Sequence, residues 1–201
     1  MMEEFLMHVQ IGSSAQPGFE QPLQLLMDCH RRIEHFLQVL VRIVDEAPGE
    51  EINHEQRRAL EAALTYFRDA APRHTQDEEQ SLFPRLRQSA GREAIEAFEL
   101  MDALEADHTR ADNLHRQIEA LGLEWLRSGT VSPVQRADMR QWLGELQELY
   151  RRHLQIEDGE IFPFAGRTLS AEQIQAVGGE MKARRSDMFS GPAEETFQRS
   201  R

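Results

Sequence analysis

Cysteine is all but missing, with Cys29 standing alone among 201 residues. A single thiol cannot close an internal disulfide, and it excludes a thiolate metal cluster within one chain. Basic residues are short as well: 23 Lys and Arg face 35 Asp and Glu, for a formal charge of −12. Without a basic cluster, nucleic acid and anionic membrane are excluded as the main partner. No stretch approaches the roughly 18 apolar residues of a membrane span. The opening residues, MMEEFLMHVQ, lack the basic region of a secretory signal. These absences lead to the expectation of an acidic, soluble, cytoplasmic protein, and they leave monomer and homodimer both open.

Glycine and proline are sparse, and they fall mostly at boundaries. No segment alternates with period two over a useful length, so strands are not expected. Apolar residues instead recur at three- and four-residue steps. In the first such segment these are Leu26, Ile33, Phe36, Leu37, Leu40 and Val44, ending at Ala47-Pro48-Gly49. Asn53 and Gln56 then have capping-box spacing and open a second helix expected to reach about Gln88, kinked at Pro72. A third helix is expected over about 92–127, closed by Ser128-Gly129. Ser132-Pro133-Val134-Gln135 opens the fourth, which runs to about Ala165. Ser170 to Gln173 caps a short fifth. Short loops make neighbours antiparallel, so the expected fold is all-α, an up-down-up-down four-helix bundle over 22–169. An irregular segment precedes it (1–21), and a short helix with a frayed tail follows (170–201).

The chain repeats itself, and it repeats its chemistry. Arg73-His74-Thr75-Gln76-Asp77-Glu78 matches Arg152-His153-Leu154-Gln155-Ile156-Glu157 at four of six positions, and Leu82-Phe83-Pro84 answers Ile161-Phe162-Pro163. On the preceding helices, Leu26, His30, Arg32 and Glu34 answer Leu104, His108, Arg110 and Asp112. Each half is thus a helical hairpin with one His on its first helix and His-x3-Glu on its second. Histidine–acid pairs at i+4 commonly decorate exposed helix faces. That accounts for single pairs but not for their recurrence at matching places in both halves.

Counting residues back from the turns brings His74, His108 and His153 to one level of an antiparallel bundle, within about 3 Å at 1.5 Å per residue. His30 follows if the Ala47–Ile52 loop absorbs a few residues. Four histidines and two glutamates at one level of a core are costly to bury without a cation. Imidazole with carboxylate suits iron, zinc or manganese, and two bridging glutamates suit a pair of metals.

The pattern His30 … His74-x3-Glu78 … LFP … His108 … His153-x3-Glu157 … IFP resembles the hemerythrin-like (HHE cation-binding) domain over about Leu23 to Leu169. The resemblance implies a non-haem di-iron centre, oxo- or hydroxo-bridged. His30, His74, His108 and His153 would be terminal ligands, with Glu78 and Glu157 bridging. Oxygen-carrying hemerythrins have a further His four residues after the third-helix His, where this chain has Asp112. They also bridge through an Asp five residues after the fourth-helix His; here Glu157 is the candidate, though Asp158 occupies that spot. The set is closer to bacterial iron-centre repair proteins and to HHE proteins that react with oxygen, peroxide or nitric oxide.

Two functional classes follow. One is a module that binds or senses oxygen, nitric oxide or iron. The other is a redox or repair enzyme acting on peroxide or nitric oxide, or donating iron to damaged iron–sulfur clusters. An enzyme would need reductant from a protein partner, since no flavin or haem motif is present. A metal-free helical scaffold is the third reading. Glu34 and Asp112 are either extra ligands, acceptors behind the ligands, or exposed partners of their own histidines. His115 reads as core or tunnel lining, His35 as exposed, and His54 and His8 as belonging to a helix start and the N-terminal segment. Cys29 reads as inert and buried. Phe83, Phe162, Pro84 and Pro163 wall and kink the helices beside the centre, and Trp125 and Trp142 belong to the core at the opposite end.

Overall fold

The structure, a computed structural model, describes residues 18–47, 51–91 and 94–186. The irregular segment and frayed tail expected at the termini lie almost wholly outside them. Within the described residues the chain forms helices without strands. The first rod is α1 (Pro22–Glu46). The second comprises α2 (His54–Asp69), α3 (Ala71–Asp77), a π-helical turn (Glu78–Leu82) and α4 (Phe83–Ser89). The third is α5 (Ile95–Ser128). The fourth comprises α6 (Pro133–Ile156), a second π-helical turn (Glu157–Ile161) and α7 (Phe162–Thr168). A further helix, α8 (Ala171–Ser186), lies outside the four. Rod one contacts rods two and four, and rod three contacts the same two, which closes an antiparallel bundle.

The termini are set by local chemistry. Asn53 and Ser132 accept from the amides of Gln56 and Gln135, whose side chains accept from the cap amides in return. Gly129, with φ of 81°, closes α5 in the left-handed region, where its amide donates to the Trp125 carbonyl. The second rod departs from the single kinked helix expected of it. It breaks at Ala70, just before Pro72, and then loosens into a π-turn. The fourth rod loosens at the matching place. In each π-turn the amide five residues on closes the ring: Phe83 donates to Glu78, and Phe162 to Glu157. Pro84 and Pro163 come next and have no N–H to continue an i→i−4 ladder, so the extra residue is accommodated there.

The core divides into two bodies. One fills the end where the loops near Ile52 and Gly129 meet, built on Leu40, Leu60, Trp125, Met139 and Leu146. The other, built on Leu26, Phe83, Leu86, Met101 and Phe162, lies beyond the π-turns and extends onto α8 through Val177 and Met181. Trp125 is fully buried in the first body and Trp142 is half-buried against it, as expected of the far end.

Helix α8 packs across α1, α3 and the first π-turn. A side chain at Gly178 would collide with the Phe19 carbonyl, so glycine lets the two backbones touch. The contact is also ionic. Asp77 is fully buried, and Arg184 Nε and Arg185 donate to its two oxygens at 2.8 and 2.6 Å. Arg85 pairs with Glu180 at 2.6 Å, and Ser81, also buried, donates to Glu180 at 2.5 Å. Stranding a buried carboxylate costs roughly 3 kcal/mol, the low end for such pairs because both guanidinium groups keep some solvent contact. The double variant Arg184→Met/Arg185→Met should lose about that much stability in urea unfolding. Adding Asp77→Asn should restore most of it.

Candidate metal centre

Between the two core bodies lie His30 from α1, His74 from α3, His108 from α5 and His153 from α6. Glu78 and Glu157 join them, each the first residue of a π-turn. All six side chains are buried, none more than 9% exposed. The Nε2 of His30 lies 3.1 Å from Glu157 and that of His153 3.0 Å from it. Those of His74 and His108 lie 3.4 and 3.3 Å from Glu78. His108 also approaches Glu157, at 4.0 Å. The donors fall into two groups, His30, His74, Glu78 and Glu157, and Glu78, His108, His153 and Glu157. In each group one ligand atom per residue lies within 4.8 Å of the others. Both glutamates belong to both groups.

These side chains do not satisfy one another. Nine buried nitrogen and oxygen atoms of the six have no hydrogen-bond partner among the described residues, including all four glutamate oxygens. Each such atom costs about 1–3 kcal/mol when left unpaired. A set of this size is tolerable only where something else meets the lone pairs. Burial and the neighbouring Glu157 push the Glu78 carboxyl well above its ordinary range. Burial acts the same way on Glu157, but His153 and His30 outweigh it and hold that carboxyl low. Burial would depress His30, yet Asp158 and Glu157 lift it to about 10. His74 is driven well below 6.5 by burial and by the charge of His30. Imidazole nitrogen and carboxylate oxygen at these spacings can hold a divalent cation in each group.

The outer face of the rings completes the arrangement. His30 Nδ1 is 2.8 Å from Asp158, and His108 Nδ1 is 2.8 Å from Glu79. With Nδ1 donating outward, Nε2 is the nitrogen turned to the interior, where a metal would take the place of its proton. Glu79 and Asp158 each follow an interior glutamate, and each serves a histidine of the other half. The sequence carried that signal as an acid after the glutamate in both repeats, but Glu79 was not singled out, and Asp158 was noted only for its position. The third outer carboxylate is more distant, with Asp107 4.0 Å from His153. Phe162 stacks on His30 at 5.3 Å between ring centres, walling the centre as expected.

Other candidates fall away from the centre. Glu34 and Asp112 are exposed, and Asp112 pairs with Arg116 at 3.1 Å. His35 and His54 are exposed, and His8 lies outside the described residues. Cys29 is buried, and burial pushes its thiol up, which makes it unreactive. His115 lies in the far body, its Nε2 2.9 Å from the Tyr150 hydroxyl.

Losing an outer carboxylate typically weakens metal affinity 10–100-fold. Asp158→Asn and Glu79→Gln should each do so in chelator-competition titrations, with helicity unchanged. Glu34→Gln and Asp112→Asn should leave affinity at the wild-type value.

The Hemerythrin HHE cation binding domain family matches residues 21–165. An uncharacterized protein of Haemophilus influenzae is 29% identical over 168 residues, covering 83% of this chain and 91% of that one. The family match spans both histidine-glutamate repeats and the two helices that face them, and the chain belongs to the hemerythrin HHE cation-binding family.

Proposed function

We propose that the chain holds two iron ions, one in each donor group, and uses them to bind or sense oxygen or nitric oxide, or to take up iron, in the cytoplasm. The observation that carries this reading is the sharing of Glu78 and Glu157 between two otherwise separate histidine pairs. A single cation would leave one pair of imidazoles idle in a buried core. Zinc or manganese suits the same donors.

Each residue has a distinct task in this reading. The two glutamates, common to both donor groups, would hold both ions and offset charge that the apolar core cannot solvate. The four imidazoles would hold the ions, two in each group, and Asp158 and Glu79 keep two of those rings turned inward. Phe162 and the core body beyond it exclude bulk water. A redox-active metal pair supplies electrons and open coordination positions for a small ligand. Because Glu34 and Asp112 face solvent, each group would offer its ion two imidazoles and two carboxylates, which would leave six-coordinate iron room for that ligand. The alternative, a redox or repair enzyme using the same centre, needs electrons delivered from outside.

Metal analysis and rapid mixing test the proposal. The wild-type chain should bind two metals, and His74→Ala/His153→Ala should bind none stoichiometrically. Mixed anaerobically with nitric oxide, the reduced iron-loaded protein should change its visible spectrum, and oxygen should oxidise it quickly. Two retained metals in the double variant would overturn the site. Indifference to both gases would reduce it to storage or structure.

A further inference from the structure

The whole chain has two tyrosines, and both stand in one line of touching rings. The line starts at the candidate ligand His153, whose ring is 6.3 Å from that of Tyr150. Tyr150 is followed by His115 at 5.9 Å and His115 by Phe67, stacked at 4.4 Å. Tyr66 follows at 5.3 Å, then Phe36, stacked at 4.4 Å. Phe36 meets His35 at 5.3 Å, and His35 is exposed. Aromatic contact therefore runs unbroken from the centre to the surface.

The two tyrosines are not equivalent. Removing an electron from a phenol makes its proton strongly acidic, so oxidation is easy only where a base can take that proton. Tyr150 has one: its hydroxyl lies 2.9 Å from His115 Nε2. Burial holds His115 down to about 4, so it is neutral and able to accept. Among the described residues the Tyr66 hydroxyl reaches the Cys29 carbonyl, at 3.4 Å, and a peptide oxygen cannot keep a proton. The repeat makes the same point. At the positions that answer Tyr150 and His115, the first half has Ala71 and Leu37, so both members of the pair are special to one half.

We propose that Tyr150 and His115 form a proton-coupled electron relay between the metal centre and the surface at His35. This rests on the reading that the centre holds redox-active iron. After oxygen or peroxide has oxidised the centre, Tyr150 gives one electron to it, and its phenolic proton moves to His115 Nε2. A one-electron carrier at the surface refills Tyr150 through the rings of Phe36, Tyr66 and Phe67. The proton then returns from His115 to the phenolate oxygen, leaving the relay as it began. Tyr66 belongs to the conducting stack and is not a stopping place.

His35 provides the means of testing this. In the full chain carrying His8→Gln and His54→Gln, a ruthenium polypyridyl photo-oxidant is attached at His35 and fired by flash and quench. In iron-free protein a neutral tyrosyl radical should appear by transient absorbance and electron paramagnetic resonance. It should vanish in Tyr150→Phe and persist in Tyr66→Phe. In diferrous protein, oxidation of the iron should slow at least tenfold in Tyr150→Phe and in His115→Phe, both of which retain a ring for packing. An unchanged rate in Tyr150→Phe overturns the relay, as does a radical on any other residue or no radical at all. The iron-free arm decides the relay even for a chain that binds no iron, so its failure is distinguishable from failure of the metal reading.

Discussion

Two carboxylates and four imidazoles buried at one level of a helical bundle are the constraint on which the rest of this structure depends. In a dry core such groups are destabilising unless opposite charge or hydrogen bonds meet them. The chain meets the outer nitrogens of His30 and His108 itself, through Asp158 and Glu79, and leaves both nitrogens of His74, the outer nitrogen of His153 and all four glutamate oxygens without a partner among the described residues. Folding must therefore be driven by apolar surface elsewhere. The two core bodies above and below the centre provide it, each filled with large, fully buried side chains. The centre is a polar layer held between two conventional cores.

The duplication solves a geometric problem with one device used twice. A glutamate that starts a π-turn faces the interior, and the acid after it faces the neighbouring rod. Because the rods are antiparallel, that second acid reaches the histidine of the other half. The two halves are thereby interlocked: Asp158 orients His30 of the first hairpin, and Glu79 orients His108 of the second. Neither hairpin alone can turn its own first-helix ring inward this way. This reciprocity explains why the acid after each glutamate is as much part of the site as the glutamate itself.

Much of this was legible in the sequence. The apolar spacing, the capping boxes at Asn53 and Ser132 and the glycine at Gly129 act through residues a few positions apart, and they set the helices nearly where they occur. The six central residues were legible because the repeat exposed them. The π-turns were not: a run such as Leu82-Phe83-Pro84 reads as helix with a proline, and only the register of the hydrogen bonds reveals the extra residue. The grip of α8 was also hidden. Asp77 sits among many acids and Arg184 and Arg185 in an unremarkable basic pair, and 107 residues separate Asp77 from the first of them. Glu34 and Asp112 looked like Glu78 in spacing alone. Their rotation about the helix axis, which spacing from a neighbouring histidine does not fix, turns them to solvent.

The places where the repeat fails carry as much information as the places where it holds. A repeated bundle with one shared centre has no need to differ between halves, so paired differences mark where the two halves have unlike surroundings. At the position answering the buried Asp77, the second half has Ile156, half-buried against apolar neighbours. The carboxylate is present only in the half that α8 covers, and α8 brings the two arginines that balance it. The Tyr150–His115 pair is present only in the other half, on the side of the centre that faces the first core body. One half is thus clamped through the residue before its shared glutamate. The other carries a polar pair whose ring contacts lead outward. The centre is symmetric in its donors and asymmetric in its surroundings, which gives the two donor groups unlike connections to the rest of the molecule.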